Sequence, residues 1–534
     1  MAAADVSIAL NRFGLGARPD ESIPDNPKAW LKSQIDGFEA KPATMAAVPV
    51  RSKVAGELAD FYQQQRDLRQ QGLGRKQLAA AMPPQPMPPQ PMPPQPGSPM
   101  QPGAKPAPNM AMTPQGVPEP GAKADKGDDV NDPVKAARRY VGQQVRDDYA
   151  VSVGARATTA VVGANPFAER LTHFWANHFA VSADKLEIIG LSGLLEFEAI
   201  RPNLNRKFGD MLNAVERHAA MLLYLDQAVS IGPNSMAGRF IANRPRAAAQ
   251  AQGVQPRAGL NENLAREIME LHTLGVRTGY TQSDVTEFAR ALTGWTVKGI
   301  GRGPGARLAG TDGTPGDFVF AERLHEPGER NIMGRKFAEG GEGQAQAVLD
   351  ALATSPATAQ HIATKLARHF AGDTPPAALV NRLKASFLKT GGDLPSLYAV
   401  LIDSPECWAP QPVKFKSPWE WTISTYRALG LKQVQPLAAV GLLNQLGQPT
   451  WKPGSPAGYD DIAASWAGPD ALVRRVEAAE RFATRAGAQI DARALAPKLF
   501  PGALSPATQQ ALQRAESPGQ ALALFLVSPE MLRR

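Results

Sequence analysis

The sequence predicts a mainly α protein: a multi-helix globular body with one short β-hairpin near 317–338 and a disordered proline-rich insertion. Three observations carry this reading. Apolar residues recur at a spacing near 3.6 through most of the chain. Strand-like runs are confined to Asp317–Phe320 and Asn331–Phe337, about a turn containing Glu326-Pro327-Gly328-Glu329. Between Met82 and Pro96 the chain repeats MPPQP three times. Proline lacks the amide donor and fixes φ, so that stretch forms neither helix nor ladder.

The elements follow in chain order. Residues 1–81 form an N-terminal helical part of the main body. One helix covers roughly Pro27–Phe38, with Trp30, Leu31 and Ile35 on one face, and a second covers Lys53–Leu78. Residues 82–132 are the Pro/Gly/Ala-rich insertion, read either as a tolerated surface insertion or as a proline-rich ligand for an aromatic groove. Residues 133–340 form a central helical core. Pro133 opens a long helix to about Val162, followed by helices over Pro166–Val181, Leu186–Ile200 and Phe208–Leu225. An irregular stretch, Gly232–Gly259, precedes a polar helix over 261–274 that Gly275 stops. Thr281 or Ser283 caps a helix ending near Gly294-Trp295, and Lys298–Gly316 reads as a glycine-rich loop. Residues 341–534 form a C-terminal helical subdomain. Within it LYAVLIDSPE (397–406) and ALALFLVSPE (521–530) are similar apolar helices stopped by Ser-Pro-Glu.

Composition narrows the function classes. With 534 residues and 43% hydrophobic residues, the chain is long enough for two or more cores. A single cysteine, Cys407, excludes intramolecular disulfides and cysteine-rich zinc sites, and reads as a buried thiol. The net charge of +8 is scattered, without a basic run interleaved with aromatics, so no nucleic-acid partner is expected. No run reaches the roughly 18 apolar residues of a membrane span. The N-terminus has no secretory layout, so a cytoplasmic location is expected. Walker, GxSxG, HExxH and strand-borne GxGxxG patterns are absent.

Three segments carry residues able to do chemistry. On Asn261–His272, Leu264, Ile268 and Leu271 make the core stripe, while Asn263, Glu267 and Glu270 share a second face beside His272. Two carboxylates at i, i+3 could bind a cation or act as an acid/base pair. Equally, Arg266 can neutralise Glu262 and Glu270 at i±4 on a solvated face. On Leu171–Phe179, His178 lies on the inward stripe with Phe167, Leu171 and Phe174, and His173 and Asn177 lie on an adjoining face. His325 sits at the expected hairpin turn. His178, His272 and His325, with Glu267 and Glu270, form a conceivable set for a divalent metal. Catalytic candidates are Glu267, Glu270 and Asn263.

The ordered motifs resemble one family. They include Ala9–Gly14, Phe174–Phe179, Asn261–Gly275, Tyr280–Val285, Ala289–Trp295, His325 with the Gly334 turn, Phe415–Glu420 and Leu446-Gly447-Gln448. Together they resemble the bacterial domain-of-unknown-function family 1800 over nearly the whole chain, apart from the proline tract and loops. The resemblance implies a mostly helical fold and a frequent gene neighbour from a sulfatase-like family, a candidate partner. It implies no established activity, cofactor or catalytic residue, and it implies that relatives are often exported. Three function classes remain: a His/carboxylate or metal site, a partner-binding protein using the proline tract as tether, and a purely structural polar network.

Overall fold

The computed structural model describes residues 3–22, 24–70, 133–243, 259–301, 308, 313–412 and 414–534. The insertion 82–132, and with it the tether reading, lies outside the described residues. So do parts of the irregular stretches 232–259 and 298–316.

The described chain is predominantly helical. Its longer helices are α1 (Pro27–Asp36), α2 (Arg51–Gln70), α3 (Pro133–Val162), α4 (Pro166–His178), α5 (Phe208–Glu216), α6 (Gln282–Leu292), α7 (Glu342–Ala353) and α8 (Pro356–Ala371). The series continues with α9 (Ala377–Thr390), α10 (Leu394–Asp403), α11 (Pro418–Ala428), α12 (Pro436–Gln445), α13 (Pro469–Ala486), α14 (Ala492–Leu499), α15 (Pro506–Gln513) and α16 (Pro518–Leu526). Many begin with proline behind a side-chain cap, as with Asn26 on α1, Ser355 on α8 and Ser417 on α11. Proline at the first turn loses no helical hydrogen bond, and the cap satisfies an amide that would otherwise be orphaned. No described helix is long and apolar enough to cross a membrane.

The chain divides into two compact units, residues 1–60 with 142–534, and residues 61–141. In the second unit, Gln63 donates to Asp67 one turn on at 2.8 Å. In the first, an aromatic spine joins distant segments. Phe13 lies 5.5 Å from Phe370 and 5.7 Å from Phe167. Trp175 donates to the Tyr398 hydroxyl at 2.8 Å and packs on Phe208, which meets Phe387. Helices on both sides of residue 340 therefore share one core. A second cluster forms where Ala478, Ala479 and Ala483 of α13 meet Leu522 and Phe525 of α16. The small alanines allow close approach, and the large residues come from the partner helix.

The two Ser-Pro-Glu helices serve different neighbours. α10 packs with α1 and α9, whereas α16 packs with α13. After α16, the chain end pairs antiparallel with residues 414–416, bridging Phe415 and Arg533.

Four short strands make two pairs. β1 (Trp295–Val297) pairs with β2 (Phe318–Phe320), and β3 (Arg330–Ile332) pairs with β4 (Arg335–Phe337). The two expected strands thus both exist, but they do not pair with each other. The second folds on itself at Met333-Gly334, where both φ are positive, 51° and 75°, as a tight hairpin turn requires. The first finds Trp295 instead, because Gly294, with φ 92°, lets the backbone pass the Phe320 ring.

Candidate active site

The expected residues fall into separate places. His178 and His272 come together. The polar helix, Asn263–Glu267, ends in a π-helical turn, Ile268–His272, whose last carbonyls are free of helix partners. The His272 carbonyl accepts from His178 Nε2 at 3.1 Å, and the Leu271 carbonyl accepts from His361 Nε2 at 3.1 Å. The His272 ring itself pairs through Nδ1 with Glu216 Oε1 at 2.7 Å, both side chains fully buried. Glu267 and Glu270 are half-buried on the other face. Burial pushes the Glu267 carboxyl up, assisted by Glu270. Arg266 spans Glu262 at 3.2 Å and Glu270 at 3.7 Å. Asn263 is exposed, its amide held by the Asn261 side chain. His325 is bonded through Nδ1 to the Thr293 carbonyl at 2.8 Å and packs on Phe320. Among the described residues, no group of three or more His, Cys, Asp or Glu side chains is arranged to hold a metal ion.

A cavity of about 120 Å³ forms between α4, α8, α11 and the irregular segment 449–466. Of the expected site residues, only His178 lines it. Its neighbours on α4, His173 and Asn177, line it too, as their 3.6-residue spacing implies. From α8 comes Lys365, one turn from both His361 and His369; Lys365 and His369 line the cavity. Trp419 and Glu420 enter from α11, and Trp451, Tyr459 and Asp461 from the irregular segment.

Asn177 holds that segment in place. Its side-chain amide donates to the Tyr459 carbonyl at 2.8 Å and accepts from the Tyr459 amide at 2.7 Å. A Cβ on Gly458 would stand 2.2 Å from the Asn177 carbonyl oxygen, and its φ is +77°. Only glycine fits there.

Most charges around the cavity are neutralised. Arg156 pairs with the buried Glu196 at 2.8 Å and stacks over Trp419 at 4.2 Å. Trp451 Nε1 donates to the same carboxylate at 2.9 Å. Glu420 completes a capping box with Ser417 and also receives Arg170 and Arg534, the latter at 2.7 Å. Burial opposes its charge, but Arg534 and Arg170 hold the carboxyl well below the usual range. His369 Nδ1 donates to Asp461 at 2.9 Å, and Lys414 reaches Asp461 at 3.0 Å. Burial lowers His369 to about 4. It would raise Asp461, yet His369, Lys414 and Arg534 keep that carboxyl well down.

Three groups are left over. Lys365 makes no hydrogen bond or ion pair among the described residues, and burial lowers its ammonium to about 8, Asp461 opposing and Arg368 adding. His173 is held well below its usual range by burial and by Arg156, Arg201 and Arg170, so it is neutral. Trp419 Nε1 can only donate, and it donates to His173 Nδ1 at 2.8 Å. The proton of His173 therefore sits on Nε2, a buried donor without a partner among the described residues. His178, also kept neutral by burial and by Lys365, donates from Nε2 to a carbonyl. Its Nδ1, unpaired among the described residues, is consequently an acceptor. The site thus offers an ammonium, an N–H donor and an imidazole lone pair within aromatic walls.

Sequence reasoning did not single out Lys365, His369, Asp461 or Tyr459. The i, i+4, i+8 spacing of His361, Lys365 and His369 on one helix was the available signal.

No curated protein and no solved structure is matched by this chain. Residues 8–533 match the family described as protein of unknown function, DUF1800. That range takes in every ordered motif from Ala9 to Gln448, and the chain belongs to the DUF1800 family.

Proposed function

We propose that the cavity of about 120 Å³ binds a small organic anion, a carboxylate-bearing molecule of about five non-hydrogen atoms, scaled from a roughly 150 Å³ cavity that holds benzene. One observation carries the reading. Lys365 lines the cavity with no ion-pair partner among the described residues, while Arg156 and Arg170 are paired with Glu196 and Glu420. Leaving an ammonium desolvated and unpaired costs free energy, and an incoming carboxylate removes that cost. His173 Nε2 supplies a second donor, and Trp419 and Trp451 supply apolar faces. This reading keeps His178 from the residues first singled out and adds Lys365 and His173.

The test is thermal stabilisation of the full chain by propanoate, lactate and propylamine, in wild type and Lys365→Met. A ligand at 100 times its dissociation constant stabilises by about 2.7 kcal/mol. The two carboxylates should raise the melting temperature of the wild type only, and the amine should not. Equal shifts in the variant, or none in either protein, refute the reading.

A further inference from the structure

We infer that Lys365 is a covalent anchor, whose amine forms a reversible imine with the ketone carbon of a 2-oxo carboxylate seated in the cavity. The inference rests on the anion-binding reading and names the ligand class. Its basis is placement. Lys365 reaches the cavity from the middle of α8 and has no hydrogen-bond or ion-pair partner among the described residues. Around it stand His361, Arg368 and His369 of the same helix, His178 of α4, and Asp461 of the segment 449–466. None of these ties up the nitrogen. An amine that must attack carbon needs that freedom.

The protonation of the wall fits the same chemistry. With an ammonium near 8 rather than 10.5, the neutral fraction of Lys365 at neutral pH is about 300-fold that of an ordinary lysine. His178, which also lines the cavity, stays neutral, and the proton the ammonium sheds passes to water and returns to the departing oxygen. His173 Nε2 is a donor for the ligand carboxylate. The lone pair of the amine attacks the ketone carbon, forming a C–N bond while the carbonyl π electrons move to oxygen. That oxygen takes a proton and leaves as water, giving the iminium. Ammonium plus ketone equals iminium plus one water, so no oxidant or further reactant is needed. The indoles of Trp419 and Trp451 limit water around the product. A three-carbon 2-oxo acid is the smallest member of this class and lies within about one non-hydrogen atom of the size the cavity sets.

The probe is pyruvate with sodium cyanoborohydride, applied to the full chain and read by peptide mass mapping. One N-carboxyethyl adduct should form at Lys365, at least about tenfold faster than at the exposed Lys336. Excess propanoate, which has the carboxylate but no ketone, should protect Lys365, a control that needs no variant. Lys365→Arg keeps the cation and should still bind propanoate while giving no adduct in that peptide. Labelling no faster than at Lys336, or undiminished by propanoate, overturns the inference. If propanoate binding still depends on Lys365 while no imine is trapped, the covalent step fails and the anion site stands. If neither occurs, both fall.

Discussion

Lys416 provides the sharpest stability test. It is fully buried, its Nζ has no hydrogen-bond partner among the described residues, and it lies over the Phe500 ring at 6.0 Å. Burial lowers its ammonium from 10.5 to about 7, with Arg170, Arg534 and Arg475 adding and Glu420 opposing. The unfolded chain holds that proton to about pH 10, the folded chain only to about 7. Between those values the unfolded state binds more protons, so stability rises with pH and is lost as pH falls through the window. The full difference, 10.5 − 7 units at about 1.4 kcal/mol each, is a penalty of about 5 kcal/mol, nearly all present at pH 7. Lys416→Met keeps the volume and removes the titration. Its backbone carbonyl, which accepts from Arg475 at 2.8 Å, is retained. Urea unfolding of both proteins between about pH 7 and about pH 10 should show the variant more stable at neutral pH and the curves converging as pH rises. Parallel curves, or a variant less stable at pH 7, refute the assignment of Lys416 as a buried unpaired amine.

Three further outcomes follow from the same geometry. Glu420→Gln keeps the shape but strips the charge that faces Arg170 and Arg534, so chemical denaturation should show a loss of about 3–5 kcal/mol. Because the folded Glu420 carboxyl lies below its unfolded value, its contribution is present above about pH 4.5 and vanishes as pH drops through the folded value; acid titration of stability should flatten in the variant. Gly458→Ala forces a left-handed φ on alanine and drives its Cβ into the Asn177 carbonyl oxygen; propanoate affinity should fall at least about tenfold, with tryptophan fluorescence reporting movement of Trp451. Propanoate affinity in the wild type should be full below about pH 8 and decline by up to about tenfold per unit above it, since the anion prefers protonated Lys365; a flat calorimetric profile from pH 7 to pH 9 counts against Lys365 as the anion contact.

What the sequence disclosed, and what it did not, follows from the range of each physical rule. Helical periodicity is local, so it placed His178 inward and His173 with Asn177 on the neighbouring face, where they line the cavity. The same rule put Arg266 between Glu262 and Glu270, where it lies. Turn chemistry is local too, and Met333-Gly334 closes β3 on β4. The partner of β2 was hidden because Trp295 lies more than twenty residues upstream, past the glycine-rich loop. The cavity was hidden for a similar reason. Its far wall, Trp451 to Trp466, is joined to α4 by a clamp between Asn177 and Tyr459 that spans 282 residues. Neither residue marks itself as half of that pair. Lys365 sits in an ordinary amphipathic helix, and only the assembled walls distinguish it from a surface lysine.

The polar helix over 261–272 contributes to the cavity through its backbone. Its acidic side chains do not reach the cavity, whose walls they leave to other segments. Its terminal carbonyls, at Leu271 and His272, fix His361 and His178 by accepting from Nε2 of each ring. That choice of nitrogen matters. A carbonyl can only accept, so it forces the proton of each neutral imidazole onto Nε2 and leaves Nδ1 as a lone pair. The buried Glu216 in turn anchors His272 and so the geometry of the turn. The protonation of His178 in the cavity wall is thus set by a helix end one layer behind it. A substitution such as Glu216→Gln would act on the cavity only by shifting that turn. The physical link from the polar helix to the cavity therefore runs through hydrogen-bond direction, and it leads to His178 rather than to Glu267 or Glu270.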